Sequence, residues 1–232
     1  IRHRRGYHLT ETGREFLGVA GRAHDILDDF AGRMRGQTSD LSGEVIVTTL
    51  FPISNVLMPA FQMFRRDLPK TRISLMADPT LFKLEHAEAH VALRVGREPQ
   101  QDDYVVQHFC ELKIGLFAHS CYLERHGTPD GLAALDQHYF VGNPRKASSA
   151  PYEAWMADHV PLDRVVFRTA DALIVEQAIK SGLGLGFMPL HKSAHVQDLH
   201  QIGPSLDDWT VNVWLVTHVD LHRTAKVQAM LS

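Results

Sequence analysis

The chain has 232 residues, 44% of them hydrophobic, which suffices for one large or two small domains with a genuine core. Its formal net charge of −3 provides no general attraction to nucleic acid or to an anionic membrane surface. Cys110 and Cys121 are too few for a disulfide framework and lack metal-binding spacing. No apolar run reaches the roughly 18 residues that a membrane span needs, and no secretion signal is visible. We therefore expect a cytoplasmic protein that does not enter a membrane.

The first eight residues form a basic segment that differs from the rest of the chain. Arg2, Arg4 and Arg5 occur there without any acidic residue. A basic turn of this kind can contact DNA phosphates or enter a minor groove, although a solvated turn has the same composition. Because a long helical pattern follows directly, we interpret residues 1–8 as the remnant of a DNA-binding wing. The output domain would then lie upstream of Ile1.

Residues 9–40 predict a long helix that ends in a hinge, with Thr10 or Thr12 as the N-cap. Apolar residues recur there at alternating spacings of four and three, which is a heptad seam. The seam consists of Phe16, Ala20, Ala23, Leu27, Phe30 and Met34. Glycines within the stretch each cost about 1 kcal/mol, so the helix needs a partner. An intramolecular core could supply one, but the polar opposite face favours an intermolecular coiled coil, and we predict dimerisation.

Beyond residue 43, short apolar runs alternate with helical patterns, which is typical of α/β folds with a parallel sheet. The predicted strands are 44–50, 72–77, 90–95, 112–117, 138–141, 164–168, 185–188 and 211–217. The predicted helices are 57–68, 81–87, 122–125, 131–135, 152–159, 172–181 and 221–231. These elements form two α/β sets with one strand and one helix left over. We therefore predict two lobes, lobe I from 41–117 with 214–232, and lobe II from 118–213.

The order and spacing of several motifs resemble the LysR-type transcriptional regulators. The Arg-rich string Gly-Tyr-x-Leu-Thr-x-x-Gly within residues 4–13 is similar to the end of their winged helix-turn-helix domain. Similarity to their effector domain extends over residues 41–45, 57–69, 89–96, 121–129, 181–189 and 214–221. The resemblance implies a periplasmic-binding-protein fold of type II, with two Rossmann-like lobes and an inducer cleft between them. Two positions depart from the family pattern: His90 replaces a usual Asp, and Pro52 replaces a hydroxyl residue of several relatives.

The resemblance also implies a function, that of a ligand-responsive transcriptional regulator without enzymatic activity. Its partners would be promoter DNA, bound through a missing N-terminal domain, a small-molecule inducer and further copies of the chain, as a homodimer or homotetramer. RNA polymerase is a further candidate partner. The alternative is a solute-binding protein of a transport system with the same bilobal fold. The basic wing and the heptad seam favour the regulator, because a monomeric transport receptor needs neither.

Ligands of such folds bind outside the carboxyl ends of the strands, beside helix N-termini. The turns after the predicted strands therefore supply candidate effector-binding residues, joined by Arg94, which either supports the structure or contacts the ligand. The candidates are Thr49, Phe51, Pro52, Ser54, Thr80, Arg94, Asn143, Lys146, Ser148, Thr169 and Asp171. Each polar residue alone is more often a cap or a turn former, and only their convergence favours a site. The Lys146 ammonium, opposite apolar residues 51–53, permits an inducer with an apolar body and an acidic group.

No constellation of residues predicts catalysis, a metal or a cofactor. The Gly182-x-Gly184-x-Gly186 string follows a helix and precedes a strand, the reverse of a phosphate-binding loop, and predicts a tight helix C-terminal turn. His86 and His90 are four residues apart, but His90 begins a strand, so one helix face cannot present both. The sequence has no nucleophile elbow and no carboxylate pair at catalytic spacing.

Overall fold

The computed structural model describes most of the chain from residue 41 onward and parts of the N-terminal segment. The described residues are 2–3, 6–7, 10, 12–13, 16–17, 19–21, 23–24, 26–27, 41–49, 53, 57–77, 89–132, 134–193 and 196–232. Four residues of the predicted wing and seam, Arg4, Arg5, Phe30 and Met34, lie outside the described residues, and so does the predicted helix 81–87.

The chain packs into two compact units. Unit 1 comprises Ile1–Arg94, Glu98–His108 and Trp214–Ser232, and unit 2 comprises Val95–Arg97 and Phe109–Val213. The sequence-based division places residues 109–117 in the first lobe, whereas the structure assigns them to unit 2. For residues 114–117 the reason is strand pairing, because strand β7 (Ile114–His119, described below) pairs with residues 186–189 and 199–201 of unit 2.

The N-terminal segment contains a short pair of strands followed by a helix. Strands β1 (Arg2–His3) and β2 (Gly6–Tyr7) pair antiparallel. The described residues between 12 and 27 are helical. Thr10 is the residue that caps this helix, since its side-chain oxygen accepts a hydrogen bond from the Gly13 N–H at 3.0 Å. A basic strand pair that precedes a helix agrees with the sequence-based expectation.

A five-stranded sheet lies mostly in unit 1. Its strands lie in the order β4 (Thr71–Ala77), β3 (Gly43–Thr49), β5 (Val91–Val95), β12 (Val211–His218) and β6 (Tyr104–Leu112). Strand β3 runs parallel to β4 along its whole length and parallel to β5 at Val47 and Thr48. The predicted parallel α/β arrangement is therefore confirmed for this part of the chain.

Helix α1 (Met58–Asp67) connects β3 to β4 and has Pro59 in its first turn, where a helix tolerates proline. Phe64 is its buried residue. At the end of the helix the Arg65 guanidinium donates hydrogen bonds to the carbonyl oxygens of Pro69 and Thr71. These bonds hold the chain in the tight turn that starts β4, and Pro69 prevents the helix from continuing.

Unit 2 is built around β7, which pairs antiparallel with β10 (Gly186–Pro189) and β11 (Leu199–Gln201). Next to them, β8 (Phe140–Gly142) runs parallel to β9 (Val165–Arg168) and is joined to Leu185 by a parallel bridge. The helices of unit 2 are α2 (Ser120–His126), α3 (Pro151–His159), α4 (Ala172–Lys180) and the short α5 (Leu190–Ser193). The core between these elements contains the fully buried side chains of Leu116, Tyr122, Phe140, Leu185 and Trp209.

Some sequence-based predictions of local structure were wrong or incomplete. The described residues of the predicted helix 131–135 are not helical: residues 131 and 132 lie in a turn, in which Gly131 has a φ of 60°. The predicted helix 221–231 is two helices, α6 (Val219–His222) and α7 (Ala225–Leu231). They are separated at Thr224, whose backbone is extended and whose hydroxyl donates to the Leu221 carbonyl oxygen at 2.7 Å. Strands β6 and β11 were not predicted, since polar residues interrupt both and remove the alternation that marks a strand.

The glycine string after α4 is a helix C-terminal turn, as predicted. The Ser181 N–H donates to the Gln177 carbonyl oxygen at 2.9 Å, and Gly182 has a φ of 71°. A Cβ atom on Gly184 would lie 2.7 Å from the carbonyl oxygen of Tyr139. The glycines therefore allow close backbone packing against β8 and do not form a phosphate-binding loop.

A buried ion cluster ties α4 to α5. The Glu176 carboxylate, whose side chain is 11% exposed, accepts hydrogen bonds from the ammonium groups of Lys180 at 2.5 Å and Lys192 at 2.8 Å. Burial alone would raise the pKa of Glu176. The hydrogen bonds from Lys180 and Lys192 outweigh burial, so the pKa lies below the ordinary value of 4.5.

This cluster predicts a pH-dependent contribution to stability. A carboxyl whose pKa is lower in the folded than in the unfolded state stabilises the fold above the unfolded-state pKa, and the contribution disappears as the pH falls through the folded-state pKa. We expect Glu176→Gln to lower the free energy of unfolding by about 1–3 kcal/mol at neutral pH, because two ammonium groups lose the negative charge and one of the two oxygens that accept from them. Urea titrations of parent and variant should show this difference shrinking below about pH 4.5.

The control is Glu124→Gln at an exposed position of α2, which should change the free energy of unfolding by less than about 0.5 kcal/mol at either pH. A Glu176→Gln effect that stays constant from neutral pH to well below pH 4.5 would contradict the assignment.

Candidate ligand-binding site

A pocket lies within unit 2 where the parallel strands β8 and β9 end. The pocket is open to solvent. The first residues after the two strands, Asn143 and Thr169, both line it. Parallel strands have their carboxyl ends at the same edge of a sheet, which is where α/β folds bind ligands. The described lining residues are Val141, Gly142, Asn143, Tyr152, Glu153, Met156, Thr169, Ala170, Ala172, Val175 and Phe187.

An apolar and aromatic wall closes one side of the pocket. The rings of Tyr152 and Phe187 lie with their centroids 5.5 Å apart, and Met156 is buried beside the pocket. Burial, reinforced by the neighbouring Glu153 carboxylate and opposed by Arg145, raises the pKa of the Tyr152 hydroxyl to about 12. Tyr152 is therefore uncharged at any physiological pH and can donate or accept a hydrogen bond.

Thr169 and Asp171 form the turn that leads from β9 into α4. The Asp171 carboxylate accepts hydrogen bonds from the N–H groups of Leu173 at 2.8 Å and Ile174 at 3.4 Å, so Asp171 is the N-cap of the helix. The Thr169 Oγ1 accepts a hydrogen bond from the Asp171 N–H at 3.1 Å. Asp171 is thus explained by capping, whereas Thr169 both shapes the turn and lines the pocket.

Ser148 belongs to a network that fixes the loop after β8. Its hydroxyl donates to the Glu153 carboxylate at 2.5 Å and accepts from the Ala150 N–H at 3.1 Å. The Arg145 guanidinium donates to the same Glu153 oxygen at 2.9 and 3.1 Å. Ser148 does not line the pocket, and these hydrogen bonds account for it as a loop residue that positions Glu153.

Lys146 is directed away from the pocket. Its ammonium lies 3.4 Å from the Asp158 carboxylate, and both side chains are largely exposed. It borders a separate, shallow depression near the end of α3, together with Pro144 and Leu162. The structure therefore does not bring Lys146 together with Asn143 and Thr169, as the sequence pattern had led us to expect, because the loop after β8 turns back along α3.

The candidates from the first lobe fall in unit 1 or outside the described residues. Thr49 is the last residue of β3 and is buried. Arg94 lies on β5, where burial lowers the pKa of its guanidinium and the nearby Tyr104 opposes this effect. Phe51, Pro52, Ser54 and Thr80 lie outside the described residues.

Several lining residues were not among the sequence-based candidates. Tyr152, Glu153 and Met156 come from the first two turns of α3, and Phe187 comes from β10. Polar residues in the turns after strands do not point to them, because they lie inside regular elements. The sequence signal that could have found three of them is helical spacing, because Tyr152, Glu153 and Met156 lie along one side of a helix that starts near the end of a strand.

His90 illustrates how the histidines are used in the described part of the chain. Its Nδ1 accepts a hydrogen bond from the Ile46 N–H at 2.9 Å, and its side chain is buried beside β3. Among the described residues, no group of three or more His, Cys, Asp or Glu side chains has an arrangement that could hold a metal ion. His86 lies outside those residues.

Sequence comparison places this architecture in a known family. The model of the LysR substrate binding domain matches residues 39–232. The chain belongs to the LysR family. Mixed α/β units of the type II periplasmic-binding-protein fold are the regulatory domains of these proteins, so the predicted fold class and family are confirmed, and the chain is the effector-binding part of a LysR-type regulator.

The transcriptional regulator CrgA of Neisseria meningitidis is 27% identical over 138 residues, which are 58% of this chain and 45% of CrgA. The match therefore spans less than half of CrgA. In structure, CrgA has a TM-score of 0.71 at 20% identity, covering 100% of this chain and 80% of CrgA.

Two further LysR-type structures are similar to this chain. The virulence activator AphB of Vibrio cholerae has a TM-score of 0.63 at 25% identity, covering 100% of this chain and 81% of AphB. CbnR, solved in complex with its target DNA, has a TM-score of 0.62 at 18% identity, covering 96% of this chain and 80% of CbnR. At this identity the likeness to CbnR shows the fold alone. No helix in the described parts of this LysR chain is long and apolar enough to cross a membrane.

Two substitutions of Asp171 show whether α4 needs the side-chain oxygen at its N-cap or the negative charge. We expect Asp171→Ala to lower the free energy of unfolding by about 1 kcal/mol, because α4 loses the acceptor for two N–H groups. Asp171→Asn keeps a side-chain oxygen at the N-cap and should cost only a few tenths of a kcal/mol. Urea unfolding followed by far-UV circular dichroism measures both. Equal destabilisation by alanine and asparagine would mean that the negative charge, and not the cap, is what α4 requires.

Proposed function

We propose that this chain is the dimerising and ligand-sensing part of a DNA-binding transcriptional regulator. The observation that carries the proposal is the exposed apolar seam of the N-terminal helix. Phe16 is 73% exposed and Leu27 is 65% exposed, and Ala20 and Ala23 between them are exposed as well. Apolar side chains at heptad spacing in a glycine-containing helix need a partner, and the described part of this chain does not cover them.

The partner that fits this seam is the same helix of a second copy, because a/d side chains pack into the holes of a facing helix. Both a homodimer and a homotetramer built from such dimers are compatible with it. A monomeric solute-binding protein of a transport system has no use for an exposed heptad seam, and this disfavours the alternative function.

DNA binding is proposed for the whole protein and not for this chain alone. Two observations support it: the arginines of the N-terminal segment, of which Arg2 lies on β1, and the relationship to CrgA, AphB and CbnR, of which CbnR was solved with its target DNA. We propose that Arg2, Arg4 and Arg5 contact the phosphate backbone while a preceding domain reads the promoter. RNA polymerase is a further proposed partner, and we place the protein in the cytoplasm.

We propose that the unit 2 pocket is the part of the effector site that this structure describes, with Asn143 and Thr169 as polar contacts. Thr49, Arg94, Phe51, Pro52, Ser54 and Thr80 stay predicted contacts from the first lobe. Ser148 and Asp171 would act indirectly, by holding the loop and the helix that carry the lining residues. The proposed role is regulatory and involves no catalysis, metal or cofactor.

The dimerisation proposal has a matched pair of test variants. Leu27 lies on the heptad seam, whereas Leu17 is 61% exposed but lies about 80° from Leu27 around the helix. Leu27→Glu would place like charges face to face in the seam, and we expect it to weaken the dimer by at least roughly tenfold. Leu17→Glu introduces the same charge at a similarly exposed position and should leave the dimer intact.

Sedimentation velocity over a concentration series measures both variants against the parent. A monomer for Leu27→Glu together with a dimer for parent and Leu17→Glu supports the proposal. Unchanged dimers for both variants, or a monomeric parent, would mean that the N-terminal helix does not hold the assembly together.

A further inference from the structure

The charge around the unit 2 pocket differs from that of a site for an acidic ligand. Glu153 lines the pocket, and Asp171 stands in the sequence between the lining residues Ala170 and Ala172. Among the described residues that line the pocket, none carries a positive charge. An anionic ligand group would therefore meet carboxylates and lose its hydration without gaining a cationic partner.

The N-terminus of α4 does not compensate for the missing cation. A helix N-terminus attracts anions through N–H groups that lack a partner. In α4 the Asp171 carboxylate already accepts hydrogen bonds from the Leu173 and Ile174 N–H groups, and it neutralises the positive end of the helix dipole. The helix therefore presents an occupied anion site to the pocket.

Three basic residues are close to the lining residues in sequence, and none of them lines the pocket: Arg168, at the end of β9, is exposed, and Arg145 and Lys146 have carboxylate partners. The Arg145 guanidinium is bound to Glu153, and the Lys146 ammonium is paired with Asp158 outside the pocket. Arg145 does not line the pocket, and a shift of its guanidinium towards an acidic ligand would weaken its hydrogen bonds to the Glu153 carboxylate, whose side chain is 13% exposed.

The remaining pocket chemistry favours donors on the ligand. The Glu153 carboxylate is an acceptor only, whereas the Asn143 amide and the Thr169 hydroxyl can each accept and donate, so a donor on the ligand can be met by every polar side chain of the lining. Tyr152, Met156 and Phe187 provide an apolar wall against which a flat or compact hydrocarbon group can pack. Resting on the proposed function of this pocket, we propose that its effector has a compact apolar body and an uncharged or cationic head that donates hydrogen bonds. This replaces the acidic inducer that an inward-directed Lys146 would have favoured.

Three probes of nearly the same shape test the charge of the head: benzylamine, benzamide and benzoate. Each is titrated into the 232-residue protein, with binding followed by calorimetry and by tryptophan fluorescence. Trp155 serves as a reporter because its ring lies 5.7 Å from that of Phe187, which lines the pocket. We expect saturable binding of benzylamine or benzamide, with benzoate weaker by roughly tenfold or more.

Three variants show where the probes bind and whether the Lys146 ammonium takes part. Ala170→Phe at the exposed pocket rim should abolish the signal by filling the pocket, with its circular dichroism spectrum unchanged. Asn143→Ala only removes atoms, so it causes no steric overlap, and it should weaken the binding of benzamide by roughly tenfold. With this second variant the test does not depend on the folding of Ala170→Phe. Lys146→Met should leave all three affinities unchanged.

The outcomes separate the ligand class from the function of the pocket. Benzoate that binds at least as tightly as the other probes, with loss on Ala170→Phe, would overturn the proposed ligand class while the pocket stays a ligand site. Selective weakening of benzoate by Lys146→Met would overturn the ligand class in the same way. If none of the probes gives saturable binding that Ala170→Phe or Asn143→Ala weakens, both the ligand class and the assignment of this pocket are overturned.

Discussion

Parallel strands end at the same edge of a sheet, and the pairing of β8 with β9 therefore brings Asn143 and Thr169 to one edge of unit 2. The remaining parts of the pocket depend on this pairing. Helix α3 returns after β8 and supplies Tyr152 and Met156, while α4 starts directly after β9. A loss of the parallel register would separate the polar groups and remove the apolar wall together.

Local hydrogen bonds determine which charges face this pocket. The carboxylate of Asp171 serves its own helix, and Ser148 and Arg145 hold Glu153 in place. Each of these contacts is structural, yet together they leave the pocket with acceptors and without a cation among its described lining residues. The ligand preference that we propose is thus a consequence of how the loop and the helix are stabilised. A single residue, such as Lys146, would not determine it.

Much of the architecture could be predicted from the sequence, because apolar periodicity reflects burial. Strand β3 and helix α4 are examples in which pattern and structure agree closely. The failures have physical reasons. The strand β6 carries polar residues at a sheet edge, and the hydroxyl of Thr224 divides a helix whose apolar pattern continues across the break. In the candidate site, Asn143 and Thr169 follow strand ends, and their position next to the pocket is a consequence of strand order alone. The direction of a side chain such as Lys146 depends instead on the course of a loop, which residue types do not reveal.

We propose that this chain is responsible for dimerisation and ligand sensing, and that a preceding domain carries out sequence-specific DNA reading. Fluorescence anisotropy on one promoter fragment, at physiological salt, can separate the two roles. The 232-residue chain is compared there with the protein extended upstream of Ile1 as its gene encodes it. We expect roughly nanomolar, sequence-specific binding by the longer protein only, since a few arginines at a wing remnant provide phosphate contacts without base readout. Equally tight and specific binding by the 232-residue chain, or none by the longer protein, would contradict this division of roles.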